Sequence, residues 1–141
     1  NMVRLNSAIV MGECLATNEN LVELNLSYNT LGREGGAAVG RSLFLNKSLK
    51  VLDLSHNSID PRAAFIIAVA LKNNKHVEEI VLDGNPVGRR GGLTLMGLPS
   101  TVDRKIKVGL DGCNLQLQQQ DCWFAPEDPL NHADSNGILQ L

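Results

Sequence analysis

The chain is written in copies set 28 residues apart. Leu21 to Leu31 (LVELNLSYNTL) recurs as Leu49 to Ile59 (LKVLDLSHNSI) and as Val77 to Val87 (VEEIVLDGNPV). A degenerate fourth copy, Lys105 to Leu115, keeps Val108, Leu110 and Leu115 and places Cys113 where the others have Asn29, Asn57 and Asn85. A fixed period with apolar residues locked in phase marks one supersecondary unit stacked on itself, not one globular core. That architecture favours a binding surface over a catalytic pocket.

In each unit the stretch L-x-x-L-x-L alternates in polarity and predicts a short strand. The fixed Asn follows three residues after the last Leu. Its carboxamide both donates and accepts, so Asn29, Asn57 and Asn85 are expected to form a structural ladder through the turns, with Cys113 as a small buried residue in the same slot. The second half of each unit predicts a helix. Asp60 is placed as N-cap and Pro61 as the first helical residue, and Ala63, Ala64, Ile66, Ile67, Ala70 and Leu71 follow at helical spacing. The equivalent stretches are Glu34 to Leu45 and Arg89 to about Gly97. Small residues share columns (Ala8, Gly36, Ala64, Gly92; Gly12, Gly40, Ala68) where neighbours are expected to approach closely. Asn18, Asn46 and Asn74 are expected to close their helices in the left-handed conformation. Pro99, in the column of Leu15, Leu43 and Leu71, predicts a short last helix that ends at Leu98-Pro99-Ser100.

Strand, turn, helix and turn in repetition give a right-handed αβ solenoid: parallel short strands on a concave face, helices on a convex back. The period, the Asn position and the helical second half resemble the leucine-rich repeat family, ribonuclease-inhibitor type, over about residues 5 to 115. The expected organisation is a repeat domain over 1–115, made of a helical half-repeat 1–20, repeats 21–48, 49–76 and 77–104, and a degenerate repeat 105–115. Residues 116–141 form an acidic capping segment or tail. The sequence starts mid-unit, which reads as a fragment of a longer repeat protein with an open first strand available for self-association.

Composition narrows the setting. Aromatics are only 4% of the chain, which suits a core of Leu, Ile, Val and Ala ladders. No apolar run approaches a membrane span, so no membrane partner is expected. Three cysteines, Cys14, Cys113 and Cys122, show no metal spacing. The first two read as buried thiols in a reducing, cytoplasmic compartment. From Gln116 to Leu141 there are Asp121, Glu127, Asp128 and Asp134 but no Lys or Arg. There is no dense basic stripe, which argues against nucleic acid. In this tail Trp123-Phe124 either folds over the end of the stack or serves as an exposed anchor for a partner.

Residues between the inward Leu positions face the concave side in columns. Glu23, Asn25, Tyr28, Asp53, His56, Glu79, Asp83 and Asp111 are the candidate partner-binding residues, with Tyr28 and His56 side by side as anchors. The face is mildly acidic, so a protein partner with a basic surface is expected. Asp53, Ser55 and His56 suggest a nucleophile set, but no oxyanion loop, phosphate cradle or metal spacing accompanies them. Arg89-Arg90-Gly91-Gly92 opens a helix, where N–H groups attract anions, but the favoured reading is a solvated pair of charges with glycines for helix packing. No cofactor, metal or catalysis is expected. The leading expectation is a non-catalytic protein–protein interaction module or scaffold. The resemblance also extends to GTPase-activating proteins of the Ran type, and a cytoskeletal or ciliary structural component is a third possibility.

Overall fold

Each L-x-x-L-x-L stretch forms a three-residue strand in the computed structural model of the chain, which describes residues 2–115. In chain order the elements are α1 (Met2–Thr17), β1 (Glu23–Asn25), α2 (Gly32–Leu43), β2 (Val51–Asp53), α3 (Pro61–Asn73), β3 (Glu79–Val81), α4 (Gly88–Thr101) and β4 (Lys107–Gly109). The strands form one parallel sheet in the order β1-β2-β3-β4. Their register advances by one repeat per strand, so that Leu24 lies beside Leu52, Leu52 beside Ile80 and Ile80 beside Val108. The chain is an αβ solenoid, with the sheet on one side and the helices packed on each other along the other.

The core is a set of ladders, one per column. Leu52, Leu54, Ile80 and Leu82 are fully buried in the two inner coils, while Leu24, Leu26, Val108 and Leu110 in the outer coils are only half-buried. An inner coil has a neighbour on each side; an outer coil of the described residues has one. The glycine columns set the helix spacing. A Cβ on Gly36 would stand 2.9 Å from the Cβ of Ala63, and one on Gly40 would stand 2.8 Å from Ile66. The start of α3 follows its sequence signal: Asp60 is extended and its side chain accepts from the N–H of Ala63 at 3.0 Å, with Pro61 at the first turn.

Three expectations are corrected. First, α4 does not stop at Leu98 but runs through Pro99 to Thr101. Proline costs about 3 kcal/mol in a helix interior, but here it stands in the last turn and forfeits one hydrogen bond. Buried Leu98 anchors that turn, and its carbonyl accepts from the N–H of Val102 at 3.1 Å.

Second, Asn18, Asn46 and Asn74 are not left-handed caps, and none has a positive φ; Asn74 is extended, with φ −70° and ψ 130°. They build a second ladder instead. The amide of Asn46 donates to the carbonyls of Leu15 and Asn18 at 2.7 and 3.1 Å, and its oxygen accepts from the N–H groups of Ser48 and Leu49. Asn74 repeats the pattern one coil later on Leu43, Asn46, His76 and Val77.

Third, Cys14 is exposed and Cys113 half-buried. The column of Cys14 is buried at Ser42, Ala70 and Leu98, but α1 is flanked on one side only among the described residues. Cys122, Trp123 and the whole segment 116–141 lie outside the described residues.

The first ladder runs along the strand-exit turns. The oxygen of Asn57 accepts from the N–H groups of Asn29 and Leu31 at 3.0 and 3.3 Å, and its amide donates to the carbonyls of Leu26, Leu54 and Ser55. Asn85 does the same for Asn57, Ile59, Leu54, Leu82 and Asp83. In the last rung the thiol of Cys113 donates to the carbonyl of Leu82 at 3.2 Å. Burial pushes this thiol above its usual pKa, with Asp83 and Asp111 adding to the rise and the N–H groups of Asn85 and Gly84 opposing it. The protonated form therefore favours the fold. That contribution is intact below the ordinary thiol range and fades as pH climbs through about 8.5 and beyond. Mapping alkylation by iodoacetamide at pH 8 should find exposed Cys14 modified well before Cys113; equal rates would contradict the burial.

Candidate functional site

The strands end in a turn that enters the left-handed region at the same position in every coil, and that position decides which side chains reach the surface. Positions 28, 56, 84 and 112 form one column, and all four residues are left-handed: Tyr28 at φ 59°, His56 at φ 52°, Gly84 and Gly112 at φ 66°. Glycine adopts this conformation without steric cost; other residues do so at roughly 1 kcal/mol or more. Two coils meet the requirement with glycine, and two hold aromatic rings there instead. The rings of Tyr28 and His56 stack, with centroids 4.5 Å apart and planes inclined by 14°. The imidazole in turn lies over Gly84, where an added Cβ would stand 2.3 Å from the ring carbon Cε1. The result is a shelf: Tyr28 on the outside, 73% exposed, then His56, then the bare backbone of Gly84 and Gly112.

The remaining candidate residues surround this shelf on the sheet face. Glu23 and Asn25 are exposed on β1, and Asp53 and Glu79 are half-buried on β2 and β3. Several are committed locally. The side-chain oxygen of Asn25 accepts from the N–H and hydroxyl of Ser27, and that of Asp53 accepts from the same groups of Ser55 at 2.9 and 2.7 Å. Asp83 accepts from the N–H of Asp111 at 2.9 Å. Glu79 pairs with Lys107 at 3.2 Å, which removes part of the acidity expected of the face. The trio Asp53, Ser55 and His56 does not form a relay: the Ser55 hydroxyl donates to Asp53, and the imidazole stacks on Tyr28. Among the described residues no group of three or more His, Cys, Asp or Glu is arranged to hold a metal ion, and no helix is long and apolar enough to cross a membrane.

Sequence reasoning paired Tyr28 with His56 but missed the left-handed backbone beneath them. The signal was present, since Gly84 and Gly112 share their column. It also missed Arg104. Position 102, the next of the second asparagine ladder, is Val. The guanidinium of Arg104 replaces the absent rung, donating to the carbonyls of Asn74 at 3.0 Å, Leu71 at 2.8 Å and Val77.

Residues 17–40 and 45–67 match the leucine-rich repeat family. No curated protein sequence matches the chain. Among solved structures, the fold is similar to actin-binding site 2 of leiomodin-1, with TM-score 0.67 and 20% identity over 77% of this chain. It is also similar to the tropomodulin C-terminal domain of Caenorhabditis elegans, with TM-score 0.65 and 13% identity over 77% of this chain. The chain spans less than two thirds of each neighbour, 64% and 65% respectively.

Proposed function

We infer that this chain, a leucine-rich repeat protein, is a non-catalytic docking module that takes a protein partner across its sheet face and strand-exit rim. One observation carries the reading: Tyr28 and His56 hold exposed, stacked rings in a backbone conformation that the same column elsewhere reaches with glycine. Local strain maintained for surface aromatics is a signature of function, and aromatic side chains dominate binding hot spots. Glu23, Asn25, Asp53, Glu79, Asp83 and Asp111 form the surround, and their charge favours a partner with a basic surface. A reducing, cytoplasmic setting goes with this reading, in keeping with the free thiols of Cys14 and Cys113.

The left-handed column supplies a clean test. Tyr28→Gly/His56→Gly removes both rings while giving the turn the residue it accommodates best, so the melting temperature should hold or rise. Partner capture should fall about tenfold or more, the loss of a hot-spot pair. Glu23→Lys/Asp53→Lys/Glu79→Lys should weaken capture of a basic partner as well. Capture unchanged by both variants would remove the sheet face from the proposal. A cytoskeletal partner is the second reading, favoured by a structural neighbour that is itself an actin-binding site. Co-sedimentation of the full chain with actin filaments tests it separately.

A further inference from the structure

The turn that leads into β4 breaks the pattern of the other coils. One ladder column holds Leu21, Leu49 and Val77, and the last two are fully buried. The next member of that column is Lys105, which is exposed. Burial passes instead to Ile106, 7% exposed, although Val22, Lys50 and Glu78 in its own column are all exposed. The slip is confined to the turn, because β4 is back in phase, with Lys107 beside Glu79. A pattern broken at one place while the rest is kept marks a candidate for function. Here the break brings an ammonium group to the rim.

Lys105 lines an open groove of about 660 Å³ together with Lys75, Arg104, Lys107 and a single carboxylate, Glu78. Asp103, in the same turn, is exposed and does not line it. Part of the charge is already matched: Glu78 pairs with Lys50, and Lys107 with Glu79. Lys75 and Lys105 have no ion-pair partner among the described residues. Arg104 is committed to the chain itself, since its guanidinium donates to the carbonyls of Leu71, Asn74 and Val77. The planar fork that would grip one phosphate is therefore spent.

What remains for a ligand is two ammonium groups on flexible stems, one from the α3–β3 turn and one from the α4–β4 turn. Separate point charges on neighbouring coils suit carboxylates spaced along a chain better than one compact phosphate. Pro99 and Ile106 add apolar lining, which suits an aliphatic side chain set among those carboxylates. We propose that this groove binds an acidic peptide segment of a protein partner, with Lys75 and Lys105 pairing its carboxylates and Pro99 and Ile106 receiving an apolar side chain. The surface is independent of the Tyr28–His56 shelf, which lies where the strands end; the groove lies where they begin. The two ends then select opposite charge.

Fluorescence anisotropy of the full chain with a short fluorescein-labelled peptide alternating glutamate and leucine tests the assignment. Binding should weaken steeply as chloride is raised, and the same peptide with glutamine for glutamate should not bind. Lys75→Glu/Lys105→Glu should weaken binding about tenfold or more with far-ultraviolet circular dichroism unchanged. Lys75→Gln/Lys105→Gln, which adds no charge, should act in the same direction and decides the matter if the reversal unfolds the chain. Arg41→Glu makes the same change in net charge as either lysine reversal alone, on exposed α2 surface outside the groove. It should leave binding within about twofold, as should Tyr28→Gly/His56→Gly. No binding of the acidic peptide, or binding that survives both lysine variants, would overturn the proposal. So would an equal loss from Arg41→Glu, a loss from the ring variant, or displacement of the peptide by inorganic phosphate at matched ionic strength.

Discussion

Asn57→Ala should destabilise the array by about 3–5 kcal/mol in urea titration, a large fraction of the 5–15 kcal/mol typical of a folded domain. The fully buried carboxamide serves five backbone groups: the N–H of Asn29 and Leu31, and the carbonyls of Leu26, Leu54 and Ser55. Alanine takes the acceptor from the N–H groups of Asn29 and Leu31 and one of two donors from each of the three carbonyls, and each buried orphan costs about 1–3 kcal/mol. The carbonyls are weakened but not orphaned, because Leu26 keeps the amide of Asn29, Leu54 that of Asn85 and Ser55 the N–H of Tyr28. Asn29→Ala is the internal control. Asn29 is exposed, and among the described residues its oxygen accepts nothing, so about 1 kcal/mol is expected there. Equal losses at the two positions would contradict a ladder whose strength depends on neighbours on both sides.

Arg104→Ala should cost about 2–3 kcal/mol, the range for hydrogen bonds from a charged group to partly buried carbonyls. Three carbonyls, of Leu71, Asn74 and Val77, lose their donor together. Burial pulls the guanidinium pKa below its usual value, with Glu78 working in the opposite direction; a planar fork with five N–H donors can serve several acceptors at once where an ammonium cannot. Arg104→Lys should therefore recover only part of the loss. Thermal melts of the two variants check the claim: full rescue by lysine would reduce Arg104 to a surface charge.

Much of the fold was legible because the period acts on every level at once. The phase of Leu24, Leu52 and Ile80 fixed both the strand positions and their register. The glycine columns gave the helix approach, and Asp60-Pro61 gave a helix start. What escaped was the meaning of residues with two plausible uses. Asn46 and Asn74 fit a left-handed cap by residue type, and only the coil on the far side shows that their amides reach across it. Arg104 was invisible because it sits two residues out of phase with the column it serves. Pro99 was read by its intrinsic preference, which the packing of Leu98 overrode. Tyr28 and His56 were found by adjacency alone. The φ values that set them apart from ordinary surface residues depend on the turn, which no single repeat announces.

The two rails of carboxamides end differently at the same coil. Along the turns the final fastening is one sulfhydryl contact to Leu82, while at the strand entrance it is a three-pronged cation. Like a zipper clamped at one corner, the last coil of the described residues should peel from its thiol side and pivot on its arginine side. Amide deuteration should therefore run faster at Asn85 and Val87 than at Asn57 and Ile59, the equivalent pair one coil inward.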